Sequence, residues 1–171
     1  MDEGKPVVTG KRTHGQSMVE FAIILPVIVL IAMGIFAFAL IFNAQITVAN
    51  ATAAAARAGS VVDYSSYHIA SHENQAIYDA IVVNMSWLGM DRIQSITVYQ
   101  PTDTGEVSSR KDELDPANGN LLSGNYTNAY RLTNSSLGVQ IVYKEPVWLP
   151  IINLITGDEI EFRVRESRRI E

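Results

Sequence analysis

A single glutamate, Glu20, directly precedes a stretch in which no residue from Phe21 to Ala56 carries a charge. A carboxylate at the edge of such an apolar segment is costly to desolvate unless a positive group partners it. The preceding residues read Gly-Gln-Ser-Met-Val from Gly15 onward, and this spacing suggests a signal that is cut before the apolar run. Cleavage after Gly15 would make Gln16 the new N-terminus and Glu20 the fifth residue. If several such chains then assembled, the α-amine freed on one subunit would supply the positive charge that pairs with Glu20 of its neighbour.

Two other groups of side chains have the types that bind metal ions. His68 and His72 stand four residues apart, so on a helix they would share one face, with Glu73 beside them. No third ligand is evident, and a solvated helix face is the favoured interpretation. An oxygen-rich loop has side chains of the kind that calcium prefers, without the spacing of a calcium-binding loop: Asp103, Glu106, Asp112, Glu113, Asp115, Asn118 and Asn120. We therefore predict a solvated acidic loop, no metal site and no cofactor.

The sequence lacks the patterns that indicate catalysis or nucleic-acid binding. It has no glycine-rich phosphate loop, no Gly-x-Ser-x-Gly elbow and no pair of acids in a motif context. It also has no cysteine, which excludes thiol catalysis and disulfides. From Asn43 onward there are 15 acidic and 10 basic residues, whereas phosphate binding needs patches of lysine and arginine. We predict that the protein is not an enzyme and does not bind nucleic acid.

The element that must position Glu20 is the apolar run itself. Phe21–Phe42 spans 22 residues, centred near Leu30, and all of them are apolar apart from Pro26 and Gly34. At 1.5 Å per residue such a helix is about 33 Å long, enough to cross the hydrocarbon core of a membrane. Two cations shortly before the run, Lys11 and Arg12, predict a cytoplasmic N-terminus and an extracytoplasmic C-terminal part.

Three interpretations of this N-terminus compete. It could be a secretory signal peptide that is removed, but the apolar run is long for that class. It could be a plain membrane anchor in which the glutamate is incidental. It could also be a prepilin-type signal, in which the polar leader Met1–Gly15 is removed and the apolar helix is retained. In that case the helix serves first as a membrane anchor and later as the packing core of a filament.

Residues 15–26 read Gly-Gln-Ser-Met-Val-Glu-Phe-Ala-Ile-Ile-Leu-Pro. This segment resembles the start of the TadE-like minor pseudopilins of tight-adherence (Flp) type IV pilus systems, where a glycine, four residues, a glutamate and an aromatic residue precede an aliphatic run and a proline. The resemblance continues through Gly34 and the stretch Asn43–Gly59. It implies cleavage by a prepilin peptidase, assembly by an inner-membrane platform with other pilins, and assembly roles for Glu20, Phe21 and Pro26.

Beyond the span the sequence predicts an α+β head. Alanine-rich sequence continues the first helix to about Ala58, with Gly59 as a stop. Hydrophobic spacing predicts a second helix over Tyr67–Met90. We expect about three antiparallel strands, over Ile93–Tyr99, Val139–Lys144 and Ile160–Glu166, with a polar turn over Pro101–Leu114 and a long loop over Asp115–Ser136. The expected regions are a leader (1–15), the long hydrophobic helix (16–59) and the head (60–171).

Trp148, Leu149 and Ile151 belong to the most apolar segment outside the span. A loop that covers the core is the simpler interpretation. The alternative is a contact patch for the next subunit or for the membrane surface. For the protein as a whole, the rival to a pseudopilin is a single-pass, membrane-anchored extracytoplasmic binding or sensor module that keeps its N-terminal residues.

Overall fold

The computed structural model describes residues 14–61, 70–125, 136–147 and 157–169. Its elements are α1 (His14–Val61), α2 (Ala70–Met85), a short 3-10 helix (Met90–Arg92), β1 (Ile93–Pro101), β2 (Val107–Leu114), β3 (Leu121–Gly124), β4 (Ser136–Pro146) and β5 (Glu159–Arg169). The chain forms two compact units, which divide between Phe36 and Ala37. The α+β class and the long N-terminal apolar helix are confirmed.

In the second unit α1 buries a narrow stripe of small side chains. The buried positions recur three and then one residue apart, the periodicity of one helix face: Ala44, Thr47, Val48, Ala51, Thr52, Ala55, Ala56, Gly59 and Ser60. Two of the polar members are satisfied locally, since the Thr52 hydroxyl donates to the Val48 carbonyl at 2.7 Å and the Thr47 hydroxyl donates to the Asn43 carbonyl at 2.9 Å. Small residues on this face let the helix lie close to the rest of the unit.

The expected helix stop at Gly59 is wrong, because α1 continues to Val61. A Cβ at Gly59 would lie 2.5 Å from Leu137 Cδ2 and 2.8 Å from Ile77 Cδ1. Glycine is therefore present at this position because two core side chains occupy the space that a larger residue would need. Steric fit to the core, rather than helix termination, explains it.

The sheet is antiparallel throughout, in the order β3-β2-β1-β4-β5. On one of its faces, Ile96 of β1 lies opposite Ile141 of β4, and Val98 lies opposite Val139. These side chains belong to one buried cluster with the stripe of α1 and with Ile77 and further residues of α2. The hydrophobic core of the second unit thus lies between the two helices and one face of the sheet.

Two strands differ from the expectation drawn from the sequence pattern. β2 occupies most of the expected polar turn, and β3 lies within the expected loop. The second helix is also shorter than expected: it ends at Met85, and Gly89 follows with a φ of 88°. The three expected strands are present and longer, whereas residues 62–69 and 126–135 lie outside the described part of the chain.

Candidate membrane-anchoring and assembly segment

Gly15, Gln16 and Glu20 all lie in the first two turns of α1. Gln16 precedes Glu20 by four residues, which corresponds to about 6 Å along the axis and to the same helix face. The carboxylate of Glu20 is on an exposed residue. A positive group at the Gln16 backbone nitrogen, or one brought there by another chain, would therefore approach Glu20 from the N-terminal side.

The apolar part of α1 is exposed around its circumference. Phe21 is 60% exposed, Leu30 52% and Phe42 59%, and the intervening aliphatic side chains are similarly open, while Pro26 lies inside the helix. The stretch Ser17–Val61 is long and apolar enough to span a membrane, and its most apolar part is not buried. A helix that is apolar on every side needs an apolar environment.

A partly buried polar cluster joins the start of β1 to the end of β4. Arg92 Nη1 lies 3.0 Å from Glu145 Oε2 and 3.2 Å from Glu145 Oε1, and the Tyr143 hydroxyl donates to Glu145 Oε2 at 2.8 Å. Burial, together with the hydrogen bond to Glu145, raises the pKa of Tyr143 to about 12. The hydrogen bond to Tyr143 also raises the pKa of Arg92. Each of the three side chains has a hydrogen-bond or ion-pair partner within the cluster. The cluster therefore stabilises the contact between the start of β1 and the end of β4.

Some of the side chains considered for metal binding lie in the described part of the chain. Within the described residues, no three histidine, aspartate or glutamate side chains lie close enough to hold a metal ion. Asp112 is buried in β2, whereas Asp115 accepts a hydrogen bond from the Ala117 backbone N–H at 2.9 Å and so orders the turn after that strand. His68 lies outside the described residues.

The proposed contact patch at Trp148, Leu149 and Ile151 also lies outside the described residues. The other tryptophan of the chain is among the described residues. Trp87, just after α2, is 60% exposed, and Val83, four residues before it, is 73% exposed. Hydrophobic spacing predicts a helix over both residues and assigns them no role.

Comparison with known proteins places a match on the segment that carries Gly15, Glu20 and most of α1. Residues 15–57 match the family model described as TadE-like protein. No curated protein and no solved structure matches the chain. The matched segment contains the whole of the exposed apolar run and most of the small-residue stripe. Over these residues the chain is therefore similar to the TadE-like family.

Proposed function

We propose that the chain is a non-enzymatic pseudopilin subunit of a tight-adherence pilus or of a related secretion apparatus. The observation that carries the proposal is the exposed apolar segment of α1, headed by Gly15 and Glu20, within the family match over residues 15–57. Such a segment needs lipid around it while the protein is in the membrane. It needs other apolar helices around it when the subunit enters an assembly.

The first step of the proposal is processing. A prepilin peptidase at the cytoplasmic face of the membrane cleaves after Gly15 and removes the leader, residues 1–15. Glycine suits this position because any side chain would crowd the cleavage site. The retained regions are the hydrophobic helix, which starts at residue 16 and runs to the end of α1, and the extracytoplasmic head that follows it.

The second step is assembly guided by Glu20. After cleavage the Gln16 nitrogen carries a positive charge, and Glu20 lies one helical turn further along. In an apolar environment an unpaired carboxylate costs several kcal/mol, so subunits are favoured at the offset that brings an amine of one chain to the carboxylate of another. Phe21 and Pro26 then lie in the same interface, next to this ion pair.

The proposal also fixes a location and a set of partners. α1 is compatible with a single-pass membrane anchor, and the cations Lys11 and Arg12 favour a cytoplasmic N-terminus. The subunit would thus lie in the bacterial cytoplasmic membrane until an inner-membrane assembly platform places it beside other pilins. Lipid is its first partner, and the apolar helices of related subunits are its second.

The test is the N-terminal residue of the protein extracted from membranes of cells that carry the whole pilus system, determined by mass spectrometry. A start at Gln16 is the expected result. Cells that lack the prepilin peptidase supply the matched control, in which the leader must remain. An intact leader in protein that still supports pilus formation contradicts the proposal and favours the membrane-tethered binding or sensor module.

A further inference from the structure

β5 is a long and regular strand at one edge of the sheet. It pairs with β4 from Glu159 through to Arg169, and this pairing contains no register shift. Among the strands in the described part of the chain, β4 is its sole neighbour. The sequence of β5 contains neither proline nor glycine. The backbone N–H and C=O groups along such an edge form a template on which another strand can pair.

The opposite edge of the sheet is built differently. β3 is only four residues long and ends at Gly124. Its pairing with β2 is irregular between Glu113 and Leu114. Short and irregular edge strands are two of the ways in which proteins avoid pairing with other chains. β5 has neither protection, so of the two edges it is the one suited to strand addition.

The core-facing side of β5 is apolar and only partly covered. Ile160, Phe162 and Val164 alternate along this side, and each of them is half-buried. Phe162 and Val164 pack against the buried core of the head. A further strand beside β5 would remove more of this apolar surface from water, which favours association.

The other side of β5 carries charges in a fixed order. Glu159 and Glu161 come first, and Arg163 and Arg165 follow on the same side of the strand. Arg163 Nε lies 2.7 Å from Glu161 Oε1, but the two side chains are 64% and 39% exposed. An ion pair that is so open to water contributes little and can gain a second partner at little cost. One half of the strand is thus negative on this side, and the other half is positive.

Two antiparallel copies of β5 around a two-fold axis would bring these charges together in opposite pairs. An axis perpendicular to the sheet keeps the core-facing sides of both copies on one face of the joined sheet. With this axis at Phe162, Glu161 of each copy lies opposite Arg163 of the other. Glu159 lies opposite Arg165 in the same way. Each pairing occurs twice, because the interface uses the same surface of both copies.

The core-facing side agrees with the same register. Ile160 then lies opposite Val164, and Phe162 lies opposite Phe162 of the second copy, so apolar side chains meet apolar ones. Moving the axis by one residue would instead place Glu161 opposite Glu161, or Arg163 opposite Arg163. Like charges directly opposite each other are destabilising. The charge order of β5 therefore favours one register over its neighbours.

We propose that two copies of this chain pair through β5, antiparallel about a two-fold axis at Phe162, and join their sheets into one. A second copy is the partner because the charge order of the strand is complementary to itself. The inference goes beyond the proposed function and does not depend on it, since only residues of the head carry it.

The test is dimerisation of the full chain in detergent micelles, measured by sedimentation equilibrium. We expect Glu161→Arg and Arg163→Glu each to raise the dissociation constant at least about tenfold, because like charges replace two ion pairs. An equimolar mixture of the two variants should dimerise at least about tenfold more tightly than either alone, because positions 161 and 163 are then opposite in charge across the axis. Glu106→Arg is the matched control, since it makes the same charge change at an exposed residue between β1 and β2.

Disulfide trapping tests the register. The chain has no cysteine, so a single introduced cysteine can form a disulfide only between two copies. Phe162→Cys places the thiol at the axis, where the two Cα atoms come close enough for a disulfide. Ser167→Cys is the control, because in this register its two copies lie about 34 Å apart along the strands. We expect position 162 to cross-link at least about tenfold faster than position 167 under mild oxidation.

Four results would overturn the proposal. An unmodified chain that stays monomeric at about 100 µM does not pair with itself, and the edge is then left to a different partner. A dimer that survives both single charge reversals forms through another surface. Failure of the mixed variants to recover, or cross-linking at position 167 as fast as at position 162, contradicts the register. None of these results concerns cleavage after Gly15, so the proposed function is tested separately.

Discussion

Gly59 of α1 lies directly against Leu137 of β4, with no room for a side chain between the helix and the strand. Ile77 of α2 closes the same contact from the other side, so one glycine joins three elements. Both Leu137 and Ile77 are fully buried, so their side chains would have to shift within the core to make space. The packing of the long helix on the head therefore depends on the absence of a single Cβ atom.

Replacing Gly59 by alanine should destabilise the head despite the higher helix propensity of alanine. Overpacking in a core costs about 1 to 3 kcal/mol, and the propensity gain returns up to about 1 kcal/mol. We expect a net loss of about 1 kcal/mol in the free energy of unfolding, measured by urea denaturation in detergent. Gly34→Ala in the same helix is the matched control, because a Cβ placed at Gly34 would have nothing within 4 Å. Equal stability of the two variants would contradict the packing argument.

The ion pair between Arg92 and Glu145 should respond unequally to loss of either partner. The side chain of Glu145 is 9% exposed and that of Arg92 is 32% exposed. Arg92→Met leaves a buried carboxylate without its cation, and we expect a loss of about 2 kcal/mol. Glu145→Gln leaves an arginine that can turn toward water, so a loss nearer about 1 kcal/mol is expected. The free energies of unfolding of the two variants test this difference. A larger loss of stability for Glu145→Gln than for Arg92→Met would contradict the prediction.

The head should lose stability at alkaline pH because the pKa of Tyr143 is raised from 10.0 to about 12 by burial and by the hydrogen bond to Glu145. Above pH 10 the unfolded chain releases this proton while the folded chain keeps it. The stabilisation is therefore complete below pH 10 and is lost progressively as the pH rises toward 12, at most ~1.4 kcal/mol per pH unit.

Tyr143→Phe isolates this contribution. Burial also raises the pKa values of Tyr78 and Tyr99, so the variant should retain part of the alkaline dependence. We expect a shallower decline of the unfolding free energy above pH 10 than in the unmodified protein. Parallel curves for the two proteins would show that Tyr143 ionises alike in the folded and unfolded states.

Glu20→Gln should separate assembly from processing. The amide keeps the size of the side chain but removes the charge that attracts an α-amine, so cleavage after Gly15 should continue while subunit incorporation falls about tenfold or more. Mass spectrometry of the N-terminus and counts of surface pili measure the two steps in the same cells. Glu20→Asp, which keeps the charge, should restore most of the assembly. Normal pilus numbers with Glu20→Gln would show that assembly does not depend on an ion pair between Glu20 and an α-amine.

Helices and clearly alternating strands were predictable because their signals are local. The uncharged run and the alanine-rich extension predict α1, and the alternation of Ile160, Phe162 and Val164 with charged residues predicts β5. β2 was not predictable in this way. Its sequence Val-Ser-Ser-Arg-Lys-Asp-Glu-Leu is mostly polar, and it is a strand because β1 and β3 pair with it on either side.

The same distinction applies to the candidate site, where only the residues recognised by their local spacing were predictable from the sequence. Gly15 and Glu20 were recognisable because their spacing to the apolar run is a property of the sequence alone. The cluster of Arg92, Tyr143 and Glu145 was not, because more than 50 residues separate Arg92 from the other two and only the pairing of β1 with β4 brings them together.

The small-residue stripe on α1 has a consequence for the geometry of any filament. From Ala44 onward the head occupies one side of this helix, so no other subunit can pack there. The opposite side, which shows Ile46, Asn50 and Arg57, remains accessible. Another chain can therefore approach this part of α1 only from a limited range of directions around the helix axis. On the accessible side it would meet one charged group, the guanidinium of Arg57. In the proposed assembly, neighbouring subunits can therefore contact this part of α1 only over a restricted range of angles around its axis, which limits the helical symmetries that the assembly can adopt.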